Sequence, residues 1–314
     1  MPVAYECRGC GMARPEHWTG PCCDHAPIFK PSDCRDLKCR GCHRRYDTRR
    51  VQSSIPGAKL EEPIDGQVMS LQDAVEGAIE YPRIETGIAG FDYVFGDDKG
   101  AIGMVPGSVV LVCGSPGGGK TTLLLGVLQA LARQRYDVLY VTGEESMNQL
   151  GRRAKSLGKF PARFRAVHET DLDTILDQFD DVAPDAFVAD SIQKIRVGDD
   201  YEPESPASIK YAIEELGSYA KREHAIAFII GHITKDGAIR GAKTLEHDVD
   251  VVLYLENLGI NPNGSKKKKK DSRRLLRCDS KNRFGETPRA APFEMTGQGL
   301  RDLYIPGWDG WEED

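Results

Sequence analysis

Apolar positions along this chain gather in short aliphatic runs, with longer mixed stretches between them. Residues 108–113, SVVLVC, read as a buried, β-branched strand, and the leucines of TTLLLGVLQAL (121–131) are spaced for a helix. Strand-like runs recur in DVLYVTGEES (137–146), DAFVADSI (185–192), AIAFIIGHIT (225–234), VDVVLYLE (249–256) and RRLLRCDSKNRF (273–284). SPASIKYAIEELGSYAKREH (205–224) reads as a long helix. Strands of this kind alternating with helices predict an α/β fold. Ser146 with Gln149 three residues on predicts a capped helix start, as does Ser70 with Asp73. Residues 51–69 have no periodicity and carry Pro56, Gly57, Pro63 and Gly66, the composition of a linker. The expected division is a module at 1–50, a linker and short helix at 51–80, the α/β core at 81–305 and a tail at 306–314.

Composition narrows the class. No stretch approaches the length of a transmembrane helix, and the first residues have no apolar signal region, so the expectation is a cytoplasmic protein with no membrane partner. The net charge of −6 does not advertise a nucleic-acid binder. Residues 1–50 carry ten Lys/Arg against six Asp/Glu, so any DNA contact falls to local basic loops.

Seven of the nine cysteines fall within residues 7–42. Cys7 and Cys10, then Cys22 and His25, give two short pairs separated by a loop, which is how a tetrahedral zinc ion is gripped. Cys23 is an alternative to His25. Cys34, Cys39 and Cys42 suggest a second zinc, its fourth ligand open among His43, Cys23 and His17. Thiolate-rich sets of this kind are structural rather than catalytic. A stretch with so few aliphatic residues needs such a staple to fold.

The strand at 108–113 leads into Gly114, Ser115, Pro116, Gly117, Gly118, Gly119, Lys120, Thr121 and Thr122, matching the phosphate-loop pattern G-x-x-x-x-G-K-[ST]. Glycines let successive N–H groups turn toward phosphates, and the helix N-terminus adds its dipole. Lys120 then reaches the β- and γ-phosphates of ATP, and Thr121 ligates Mg²⁺. Asp190 closes an apolar strand and is the second expected magnesium ligand. Glu144 and Glu145 end another strand; one activates the attacking water and the other complements a helix dipole, unranked between them. His232, at the end of a further strand, is a candidate γ-phosphate sensor. Lys235, Arg240 and Lys243 lie in a glycine-containing loop suited to a DNA backbone. Lys266–Lys270 form a lysine run inside a polar hairpin insertion, more usually a solvated feature.

The order of these motifs resembles the bacterial RadA/Sms family of RecA-like DNA-repair ATPases. The resemblance is carried by the Cys7–Cys10 knuckle, the phosphate loop, GEES, DSIQ, GHITKDGAIRGAKTLEHDVDVVLY and KNRFG, and it covers residues 5–25 and about 83–304. It implies a RecA-like P-loop NTPase core behind a small N-terminal zinc-binding module. It also implies a homo-hexameric ring that moves on single-stranded DNA and drives branch migration of recombination intermediates, with ATP, Mg²⁺ and Zn²⁺ as cofactors. A recombinase or single-strand-binding protein is the candidate partner of the zinc module. By the same resemblance, Lys281 and Arg283 of KNRFG act in trans on a neighbour's ATP. His25 departs from the family's fourth cysteine, the Cys34–Cys42 cluster has no counterpart, and the expectation is a compact version lacking the C-terminal Lon-protease-like domain. Two other readings compete: a phage-type replicative helicase with a zinc module, and a KaiC-like ATPase switch without DNA.

Overall fold

The computed structural model describes residues 4–6, 13–15, 70–72, 82–198, 201–231, 246–257 and 272–303. The chain divides into two compact units, Met1–Glu80 and Tyr81–Asp314. In the first, β1 (Ala4–Glu6) pairs antiparallel with β2 (Ala13–Pro15). The second holds a nine-stranded sheet.

Six strands of that sheet are mutually parallel: β3 (Val109–Gly114), β4 (Val138–Thr142), β5 (Phe164–His168), β6 (Ala186–Asp190), β7 (Ile226–Ile230) and β8 (Val251–Asn257). Three antiparallel strands extend one edge: β9 (Arg273–Cys278), β10 (Arg289–Thr296) and β11 (Gly299–Asp302). The spatial order is β11-β10-β9-β8-β3-β7-β6-β4-β5. The continuous apolar runs are explained by burial on both faces. Along β3, Val110 and Val112 enter one core while Val109, Leu111 and Cys113 enter the other.

Helices cover both faces. The first core takes Phe91 of the short α1 (Ala89–Tyr93) and Leu124, Leu128 and Leu131 of α2 (Lys120–Arg133). The second takes Ile175 and Phe179 of α4 (Leu172–Val182) and Ile213 and Leu216 of α5 (Pro206–Arg222). Three helix starts are capped by side chains. Ser146 and Gln149 form a full capping box on α3 (Met147–Lys155), Asp171 accepts from Thr174 N on α4, and Ser205 caps α5 ahead of Pro206.

From β3 the chain crosses through α2 to β4, passing over the places that β7 and β6 fill. The strand order therefore changes direction beside β3, and ligands of open α/β sheets bind at the carboxyl ends of strands at such a point.

One boundary differs from the sequence reading. The run RRLLRCDSKNRF is strand only as far as Cys278. Beyond it the chain pairs again beside the start of β8: Val252 N donates to Lys281 O, and Arg283 N donates to Asp250 O. Among the described residues, no helix is long and apolar enough to cross a membrane.

Candidate active site

β3 runs directly into the glycine-rich loop, and α2 starts at Lys120. Gly119 caps that helix with φ 110°, a left-handed value that glycine alone adopts without cost. A methyl group at Gly119 would also collide with Met295 Cε. Residues 116–122 line a cavity of about 360 Å³. Lys120 is buried, and its Nζ donates to Gly114 O at 2.7 Å and Ser115 O at 3.3 Å. Burial pulls its pKa below the usual lysine range, opposed chiefly by the Asp190 carboxylate. The ammonium thus lies folded across its own loop, close to where phosphate oxygens would take it.

The structure brings Thr121 and Asp190 together: Thr121 Oγ1 donates to Asp190 Oδ2 at 3.0 Å. The Tyr140 hydroxyl donates to the same oxygen at 2.5 Å. Tyr140 is fully buried on β4, and burial, reinforced by the Asp190 charge, raises its pKa well above that of an ordinary phenol. A hydroxyl and a carboxylate side by side are hard oxygen donors, the set that suits Mg²⁺.

Glu144 and Glu145 both line the cavity but have different partners. Ser191 Oγ, directly after Asp190, donates to Glu144 Oε1 at 2.6 Å. Glu145 accepts from two nitrogens of Arg153, Nη2 and Nε, the second at 3.2 Å. That pairing, first among the causes, raises the Arg153 pKa. Glu144 thus accepts from a hydroxyl next to Asp190, and Glu145 accepts from a guanidinium.

Lys281 and Arg283 are not among the cavity's lining residues. Arg283 Nη1 pairs with Asp250 Oδ1 at 2.8 Å, and Asp250 Oδ2 accepts from Val109 N, the first residue of β3. Lys281 Nζ donates to the carbonyls of Glu246 and His247. Burial lowers the Lys281 pKa, with the nearby Arg283 charge adding to the effect. Arg283 thus sits at the amino end of β3, while the phosphate loop leaves its carboxyl end. Gly285 fixes this turn by close approach, because a methyl group there would overlap the carbonyl oxygens of Gly96 and Phe95.

Residues 84–235 match the family model described as "ATPase: KaiC". The chain is 33 % identical over 307 residues to the DNA repair protein RadA of Haemophilus influenzae, covering 97 % of this chain and 60 % of that protein. It is 35 % identical over 305 residues to that of Pseudomonas aeruginosa (96 % and 60 %) and 38 % identical over 305 residues to that of Bacillus subtilis (96 % and 59 %). The chain belongs to the RadA family. It spans about 60 % of the length of the curated RadA relatives it matches.

The RecA-like P-loop core of this RadA-family chain is the sheet of β3 to β11 with its helices. Within it, sequence reasoning passed over four side chains of the site: Tyr140, Arg153, Arg274 and Met295. Tyr140 stood in view inside the strand that leads to Glu144, and Arg153 lies eight residues from Glu145, two turns along α3. Arg274 and Met295 come from β9 and β10, and no local pattern connects them to the loop. The zinc-ligand candidates Cys7, Cys10, Cys22, His25, Cys34, Cys39 and Cys42 lie outside the described residues, as do His232, Lys235, Arg240, Lys243 and Lys266–Lys270.

Proposed function

We propose that this chain hydrolyses ATP and couples the hydrolysis to movement on single-stranded DNA during recombination and repair. The observation that carries the proposal is the convergence of Lys120, Thr121, Asp190 and Glu144 on one cavity at the carboxyl ends of the strands. The residues present fit the ligands. The glycine loop leaves room for phosphates, and the Thr121–Asp190 pair offers oxygen donors to Mg²⁺. The bound cation would neutralise charge developing on the phosphates. Lys120 binds the β/γ-phosphates. Glu144, held by Ser191, orients the attacking water and takes its proton. Glu145 is paired with Arg153.

Lys281 and Arg283 serve a neighbouring subunit in this reading. The place of Arg283 at the amino end of β3 and its exposure support a role outside its own cavity. The assembly is a head-to-tail homo-hexameric ring. His232 senses the γ-phosphate, Lys235, Arg240 and Lys243 track DNA phosphates, and the N-terminal cysteines hold structural zinc; these roles rest on sequence spacing and family resemblance. The relatives' name, DNA repair protein RadA, supports the repair context.

A second reading is an ATP-driven protein-assembly switch without DNA, favoured by the match to the KaiC ATPase model. Phosphate release measured with and without single-stranded DNA separates the two. Stimulation by DNA supports the motor. Turnover indifferent to DNA supports the switch, and no turnover in either condition refutes ATP hydrolysis.

A further inference from the structure

Glycine-rich loops hold phosphates with main-chain N–H groups, yet they contain few side chains to fix that main chain. Something outside the loop must limit its freedom. Here Lys120 bonds the carbonyls of Gly114 and Ser115, where the loop begins. The middle of the loop is gripped from another part of the sheet. Arg274 Nε donates to Gly118 O at 2.8 Å across 156 residues of sequence. Its Nη1 donates to Arg273 O at 2.9 Å, which anchors the guanidinium to the backbone of β9. Arg274 is only 6 % exposed, and it lines the same cavity as the loop. Met295, next along the sheet on β10, packs against Gly119.

We infer that Arg274 is a positioning residue of the nucleotide site. In a trans peptide the C=O and the following N–H point in opposite directions. Holding the Gly118 carbonyl therefore sets the direction of the Gly119 N–H, one of the donors available to a phosphate oxygen. Strand order adds a second point. β9 and β10 reach β3 from the β8 side, whereas Glu144, Glu145 and Asp190 approach from the β6–β4 side. Arg274 thus acts on the loop from the flank opposite the water-activating carboxylate. Its loss should weaken nucleotide binding more than it slows the chemical step.

This inference rests on the nucleotide-site reading above, and the test separates the two. The full chain is titrated with a fluorescent ADP and a non-hydrolysable ATP analogue as wild type, Arg274→Met and Arg274→Lys. Methionine keeps much of the buried stem and removes the donor. Failure of the wild type to bind either nucleotide defeats the site reading itself. With wild-type binding established, Arg274→Met is expected to raise Kd and KM by about tenfold or more, the loss typical of a buried charged hydrogen bond. Its kcat should fall by less than about threefold, well short of the losses seen when a proton-transfer group is removed. Arg274→Lys should recover part of the affinity, because an ammonium still offers a donor. Added guanidinium ion should improve binding by Arg274→Met and leave wild type unchanged. Should Arg274→Met fail to fold, Arg274→Lys decides alone through its KM-against-kcat split. An unchanged Kd in a folded variant, or losses confined to kcat, would overturn the inference.

Discussion

Arg283 and Asp250 form an ion pair at the amino end of β3, while Lys120 lies beyond its carboxyl end. Six residues of extended strand separate the two ends, roughly 16 Å at the usual rise per residue. Arg283 and the phosphate loop of one chain therefore lie at surfaces at opposite ends of β3. A ring places such surfaces against each other when its contacts are head-to-tail.

The Asp250–Arg283 pair should show unequal dependence on its two members. Asp250 is buried and also accepts from Val109 N, so Asp250→Ala leaves that donor without its partner and should cost about 2 kcal/mol of stability. The Arg283 side chain is half exposed, and Arg283→Ala should cost less than about 1 kcal/mol. Urea melts of the two variants measure this. Equal losses would mean that the turn is held mainly by the arginine.

The two glutamates should separate cleanly in kinetics. Glu144→Gln keeps the Ser191 contact but removes the base, so turnover should fall by about 10²–10⁴-fold while nucleotide still binds. Glu145→Gln loses a partly exposed ion pair with Arg153 and should lower turnover by less than about fivefold. Single-turnover assays beside nucleotide titrations read both. The reverse ranking would transfer the water-activating role to Glu145.

Much of the site was legible because its chemistry is local. The phosphate loop, the Ser146–Gln149 box and the acidic ends of β4 and β6 are each contained in a few consecutive residues. The partner of each glutamate was not legible. Ser191 and Glu144 meet only because β6 pairs with β4, an order that crossover connections set and residue patterns do not. Arg274 was hidden for the same reason. The need of Gly285 for close approach to Gly96 and Phe95 likewise appears only once the KNRFG turn is packed against the segment after α1.

Two buried thiols carry a further expectation. Burial, assisted by Glu246 for Cys113 and by Asp279 for Cys278, pushes both up to about 12. At pH 8 only about one molecule in 10⁴ then carries each thiolate, against roughly a quarter for a free cysteine. Iodoacetamide should modify Cys113 and Cys278 only after unfolding, and their labelling should rise with pH as thiolate forms. Peptide mapping by mass spectrometry checks this. Rapid modification of either residue in the folded protein at pH 8 would show that the core around β3 and β9 opens.

The most direct measurement mixes two inactive variants. A Lys120→Ala subunit lacks a working phosphate loop but still presents Arg283. An Arg283→Ala subunit keeps its loop and gives its neighbour nothing. In equal mixtures one interface in four pairs a good loop with a good arginine, so about a quarter of wild-type turnover should return when sites act independently. Subunit exchange is established first with labelled wild-type chains, and each variant alone must be inactive. Recovery toward that quarter is the expected result. A mixture that exchanges subunits and yet stays inactive at both low and high protein concentration would contradict a site completed by the neighbouring chain.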